Sequence, residues 1–178
     1  MNTEMIERRF HEYGFDDYKW ITGTDVIVKQ WVRFKCVFAC PGHGASAMCP
    51  PNMPSIDECR RFFSEYEAVA VLHDQKTPQS QEDDEALSPK AAEDLLALER
   101  QLFLDGNYKA MAIPMTVCSQ CAECTGLLAT CRHQDKARPT PEALGVDVFE
   151  TVRRIGFPIE VLTDYTDTVD RYALLLIE

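Results

Sequence analysis

The 178 residues suit a single domain, large enough to bury a core without help from disulfides, and the eight cysteines are too sparse at this length for a secreted disulfide scaffold. A net charge of -11 argues against nucleic acid, which requires clustered Lys and Arg. The opening residues lack an apolar signal core and no apolar run approaches the ~20 residues that span a bilayer, so a reducing cytoplasm and no membrane are expected, with thiols free to bind metal.

Ile6 and Phe10, four apart among Glu and Arg and followed by Gly14, predict a short amphipathic helix over residues 3–13. Tyr18-Lys-Trp20-Ile21 and Val26-Ile27-Val28 read as strands around the turn Thr22-Gly23-Thr24-Asp25. Trp31-Val32-Arg33-Phe34-Lys35 alternates apolar and basic residues, which predicts a half-buried strand delivering Cys36 to a sheet edge.

The first cysteine group follows. Cys36, Cys40 and Cys49 fall within fourteen residues interleaved with Gly42, Gly44 and Pro50-Pro51, an irregular loop in which glycine lets backbone N–H groups approach a bound cluster. Its fourth ligand is open between Cys59, His43 and Cys131. Gly42-His-Gly44-Ala-Ser-Ala47 matches a dinucleotide fingerprint in letters only, because it runs into Met-Cys-Pro-Pro instead of opening a helix. Cys36, Cys40 and His43 imitate a radical-SAM triad, but the third position is His and the chain is short for the usual barrel.

Ser55-Ile-Asp-Glu58 is a capping box, and Ile56, Cys59, Phe63 and Tyr66 follow at helical spacing. Cys59 is therefore either a buried core thiol or a ligand. Ala68-Val-Ala-Val-Leu72 reads as a central strand with His73 at its exposed end. Residues 74–88 are acidic and aperiodic and read as a mobile solvated loop. Ser88 and Pro89 then open a helix whose stripe is Ala92, Leu95, Leu96, Leu102 and Phe103 and whose stop is Gly106. Tyr108–Ile113 is the next strand.

Cys118-Ser-Gln-Cys121-Ala-Glu-Cys124, closed by Cys131, is the most informative stretch. Zinc modules usually divide four ligands between two knuckles, each sulfur ~2.3 Å from the metal. Three thiolates at i, i+3 and i+6 on one loop instead suit a [4Fe-4S] cluster, with an iron at each of four corners, and match the first three ligands of the bacterial ferredoxin run. The fourth departs from that run, since six residues precede Cys131 and Arg132 follows it. Arg132, His133, Lys136 and Arg138 form a basic run that would offset cluster charge or simply be solvated. Thr140-Pro141 opens a helix with Leu144, Val148, Val152 and Ile155 inward and Gly156 as its stop; Pro158–Leu162 and Tyr172–Ile177 read as closing strands.

The expected fold is α/β (or α+β), one layered domain over residues 1–178 with a mixed sheet flanked by helices and cysteine loops 36–59 and 118–138 at one end. Val32-Arg-Phe-Lys-Cys36, Cys49-Pro-Pro-Asn-Met-Pro-Ser-Ile-Asp-Glu-Cys59, the Cys118 loop, Cys131-Arg-His, Arg138-Pro-Thr-Pro-Glu-Ala-Leu-Gly-Val-Asp-Val-Phe149 and the tail from Arg171 together resemble the predicted metal-binding family called domain of unknown function 2284. That resemblance implies metal binding through both cysteine groups as iron–sulfur clusters, in proteins typical of anaerobic bacteria and archaea, and no defined reaction. It also implies a Cys where Leu144 stands, so Cys59 or no residue would replace that ligand here.

Three functions are expected candidates. One is a redox protein with one or two [4Fe-4S] clusters passing electrons to a protein partner. Another is a cluster-dependent enzyme with an open iron at Cys36, Cys40 and Cys49. The third is a zinc-stapled interaction module.

Overall fold

A strand covered on both faces needs no polar alternation, and Ala68-Val-Ala-Val-Leu72 accordingly lies at the centre of the molecule, with Val69 to Leu72 fully buried. The computed structural model describes residues 1–78, 81–164 and 167–178, and for 81–88 the backbone alone. Its elements are α1 (Thr3–Glu12), β1 (Tyr18–Ile21), α2 (Gln30–Ala39), α3 (Ile56–Ser64), β2 (Val69–Lys76), α4 (Gln81–Leu104), β3 (Met111–Ile113), α5 (Val148–Arg154) and β4 (Val169–Leu176). The layered α/β class is borne out, but the sheet is not mixed in strand direction: its four strands, ordered β1-β2-β4-β3, are antiparallel at every pairing. Among the described residues, no helix is long and apolar enough to cross a membrane.

Side chains alternate across the sheet with period two, so the central pair, in register from Val69↔Leu176 to Lys76↔Val169, feeds two cores. Val69, Val71, Ile113, Leu174 and Leu176 pack against Cys59, Phe63, Val152 and Phe157 on one face. Ala70, Leu72, Ala112, Ala173 and Leu175 pack against Ile6, Phe10, Leu95, Leu98 and Leu102 of α1 and α4 on the other. The capping box forms as expected, with Ser55 Oγ accepting from the Glu58 N–H and the Glu58 carboxylate accepting from the Ser55 N–H.

Several expectations are corrected. Residues 31–35 lie in helix α2, and of them only Val32 is buried, while Trp31 and Phe34 are about half exposed; five alternating residues do not separate a strand from a helix whose apolar groups point two ways. The stretch 26–28 makes only an isolated bridge, Val28↔Val146. Residues 158–162 are not a strand, because their carbonyls are met by side chains: Tyr172 Oη donates to Pro158 O and Arg153 to Ile159 O at 2.9 Å. The helix expected from Thr140 divides into a 3-10 turn at Glu142–Leu144 and α5, since Gly145 takes φ +80° between them and Asp147 caps α5 through the Glu150 N–H at 3.0 Å. His73 is not at the surface: its side chain is 6% exposed and lies between Asp17 and Asp170.

The span expected as loop 74–88 is narrower, since β2 runs to Lys76 and α4 starts at Gln81 with Pro89 inside it. Residues 79–80, and the Ser88 side chain expected to cap α4, lie outside the described residues. The buried stripe of α4 is Ala92, Leu95, Leu98 and Leu102, with Phe103 outward.

Gly23 is sterically required. A Cβ there would lie 1.8 Å from Phe63 O, because the Gly23 N–H donates to Tyr66 O at 2.8 Å and draws the two backbones together. Gly23→Ala is expected to destabilise the fold by about 3 kcal/mol through forced separation of α3 from this turn, read as a lower urea midpoint at unchanged slope.

Candidate metal centre

Helix α2 carries Cys36 and stops at Cys40, after which the chain folds into successive tight turns. The N–H groups of His43, Ala45, Cys49 and Asn52 each return to the carbonyl three residues earlier, at 3.0 to 3.2 Å. Glycine and proline in this stretch exclude a longer regular element, so turn hydrogen bonds satisfy the backbone locally. The second group follows β3 and ends in a 3-10 turn, Leu128–Thr130, in which the N–H groups of Thr130 and Cys131 donate to Leu127 O and Leu128 O. The first loop thus follows a helix and only the second follows a strand.

The loops are docked on each other. Asn52 Nδ2 donates to Gly126 O at 2.9 Å and to Ser46 O at 3.3 Å. The Ala47 N–H donates to Cys124 Sγ at 3.4 Å, a bond from one cysteine group to a thiol of the other. Beneath this contact Ala47, Met48 and Ala137 form a small buried cluster, and Cys118 and Cys131 pack against it. All eight cysteines are free thiols; Cys40 and Cys124 are exposed, and Cys36, Cys49, Cys118, Cys121 and Cys131 are half-buried.

Electrostatics join the groups as well. Burial, then the neighbouring charge of Cys40, pushes the Cys36 thiol up, with Arg33 opposing. Burial, then Cys40, also pushes Cys49 up, and Cys124 and Cys118 add to the effect, so Cys49 stands between both groups. Cys124 is held below the ordinary thiol value, first by the Ala47 N–H and then by that of Gly126. Thiolates crowded in this way repel one another unless a cation neutralises them, and ligand thiols release protons as metal binds. Among the described residues, no three Cys, His, Asp or Glu side chains converge closely enough to hold a metal ion as they stand.

Cys59 is set in the core beside Phe63, 1% exposed, its thiol directed to Pro54 O at 3.7 Å. His43 is exposed on the turn. Of the basic run, Arg138 is committed: its guanidinium meets both oxygens of Glu99 at 2.5 and 3.1 Å, and Glu99 also accepts the Ala112 N–H at 2.6 Å. This pair fastens the exit of the second loop to α4 and β3. Arg132 and Lys136 are exposed and His133 is half-buried. Leu144, where the resemblance implies a cysteine, is buried in the core.

Sequence reasoning missed Ala47, Asn52 and Arg33. Arg33 alone carried a signal, standing one helical turn before Cys36 once α2 is known to be a helix. A cavity of about 540 Å³ lined by Trp31, Val32, Cys36, Cys40, Val148 and Phe149 opens beside the first group.

A family model described as a predicted metal-binding protein (DUF2284) matches residues 19–177. No curated protein matches the chain, and neither does any solved structure.

Proposed function

We propose, from the premise that this chain belongs to the predicted metal-binding family DUF2284, that its two docked cysteine loops hold iron–sulfur clusters and pass single electrons to a protein partner. Cys118, Cys121, Cys124 and Cys131 are the ligands of one cluster, and Cys36, Cys40 and Cys49 supply three ligands of a second. The observation that carries this reading is the Ala47 N–H directed at Cys124 Sγ across the loops. Backbone donors aimed at sulfur favour the anionic thiolate that iron requires and are the lever by which proteins set cluster potential.

The donor set fits the group. Seven thiols outside the core are free, and soft sulfur ligands select iron–sulfur clusters, zinc or Cu(I) over hard cations. A cluster would supply one-electron transfer when bound; the chain supplies thiolates, N–H donors and the packing of Met48 and Ala137 that limits water. We assign Cys59 to the core and leave the fourth position of the first site without a protein ligand.

Anaerobic purification followed by iron, zinc and acid-labile sulfide analysis tests the proposal. About eight iron and eight sulfide per chain are expected, and about four of each would restrict the reading to one cluster. Stoichiometric zinc without labile sulfide would overturn it in favour of a structural staple.

A further inference from the structure

Arg33 does more than tie helix α2 down. One guanidinium nitrogen, Nη2, donates to two carbonyls, Pro54 O at 3.1 Å and Ala143 O at 3.0 Å. The chain before α3 and the 3-10 turn before α5 are thereby fixed to the helix that carries Cys36. Two anchors on one nitrogen set the plane of the guanidinium, and that plane fixes where Nε points. Nε is buried and has no hydrogen-bond partner among the described residues.

A buried charged donor nitrogen left unpaired is costly, and such a group calls for a specific explanation. Two thiols respond to the Arg33 charge, Cys36 and Cys59. Cys36 follows one turn later on α2 and feels the Arg33 charge. The Cys59 thiol shares the Pro54 carbonyl with Arg33 and is pushed up by burial, with the Arg33 side chain opposing through its charge and a hydrogen bond, while Nε itself has no partner in hydrogen-bonding geometry among the described residues. Lys35, also beside Cys36, contrasts with it: the Lys35 side chain is exposed, with Nζ 5.4 Å from the centre of the Trp31 ring.

We propose that Arg33 is a positioning residue for the first cysteine site, its Nε–H held ready to donate to a sulfur of the group bound by Cys36, Cys40 and Cys49. The inference rests on the iron–sulfur reading and adds a role to it. The donor stabilises added negative charge on that group, so the site with Arg33 is easier to reduce than the same site without it.

The test uses the anaerobically purified full chain, the variants R33K, R33Q and K35Q, and wild type labelled with ¹⁵N-arginine. Iron and sulfide analysis comes first, and wild type without labile sulfide would overturn the parent reading independently of Arg33. With clusters present, R33K is expected to bind at least as much iron as R33Q while its reduction equilibrium falls about tenfold from wild type, equivalent to about 59 mV for a one-electron couple. K35Q is expected to stay within a third of that shift, because it removes a charge and no buried donor. The reduced wild type is expected to show magnetic coupling to arginine ¹⁵N that R33K abolishes, a readout independent of whether R33Q folds. Unchanged potential in R33K, or absence of an ¹⁵N coupling that depends on Arg33, would overturn the inference.

Discussion

Replacing His73 with phenylalanine is expected to lower the unfolding free energy by about 3–4 kcal/mol, among the largest single effects available in this fold. The imidazole lies midway along β2, its Nδ1 2.6 Å from Asp17 Oδ2 and its Nε2 2.9 Å from Asp170 Oδ1. Each ring nitrogen thus faces a carboxylate oxygen within hydrogen-bond distance. The ring also stacks on Tyr172 at 4.8 Å, and Tyr172 Oη in turn reaches Pro158 O. Phenylalanine keeps the stacking and removes both polar contacts. Asp170, 10% exposed, would retain Gln75 as a donor at 2.8 Å, whereas Asp17 is 61% exposed and can turn to water. The penalty therefore falls chiefly on Asp170, and the double variant H73F/D170L is expected to recover more than half of the lost stability, since removing both partners of a buried pair costs far less than removing one. Chemical denaturation at constant pH measures all three. Loss of less than 1 kcal/mol in H73F would show that the triad contributes little.

How much of this was legible in the sequence depends on how local each cause is. Ser55 and Glu58 announce the start of α3 because a capping box needs nothing beyond four residues. Ala68–Leu72 is readable because only a strand covered on both faces tolerates such a run. Helix α2 was not readable as a helix: its apolar residues split between the buried Val32 and the exposed Trp31, Phe34 and Phe38, so the pattern carries no single helical stripe. Likewise His73 reads as a strand-end surface residue until Asp17 and Asp170, 56 and 97 residues away, are brought against it. The cysteine spacing marks the candidate ligands from local sequence. Their docking does not follow from spacing, because it depends on Asn52 reaching Gly126 and on Ala47 reaching Cys124, contacts that span more than seventy residues.

The same distinction between local and assembled features separates two cysteines that look alike in sequence. On the proposed two-cluster reading, Cys121→Ser is expected to remove about half of the iron and labile sulfide from anaerobically prepared protein, because an oxygen ligand at one corner seldom holds a cluster and Cys121 is the middle thiol of its run. Cys59→Ser is expected to leave metal content unchanged and to cost about 1–2 kcal/mol of stability. Its serine would place a hydroxyl in the core next to Phe63 and would retain one acceptor, the Pro54 carbonyl that the thiol now meets at 3.7 Å. Metal analysis and urea unfolding on the same preparations give opposite rankings for the two variants: Cys121→Ser loses metal with a nearly intact core, and Cys59→Ser loses stability with intact metal. Loss of iron in Cys59→Ser alone would make the core thiol the fourth ligand of the first site. Because α3 fixes Cys59 inside the core and α2 carries Cys36 on a half-buried face, that outcome would require α2 to move inward on α3 when the cluster binds.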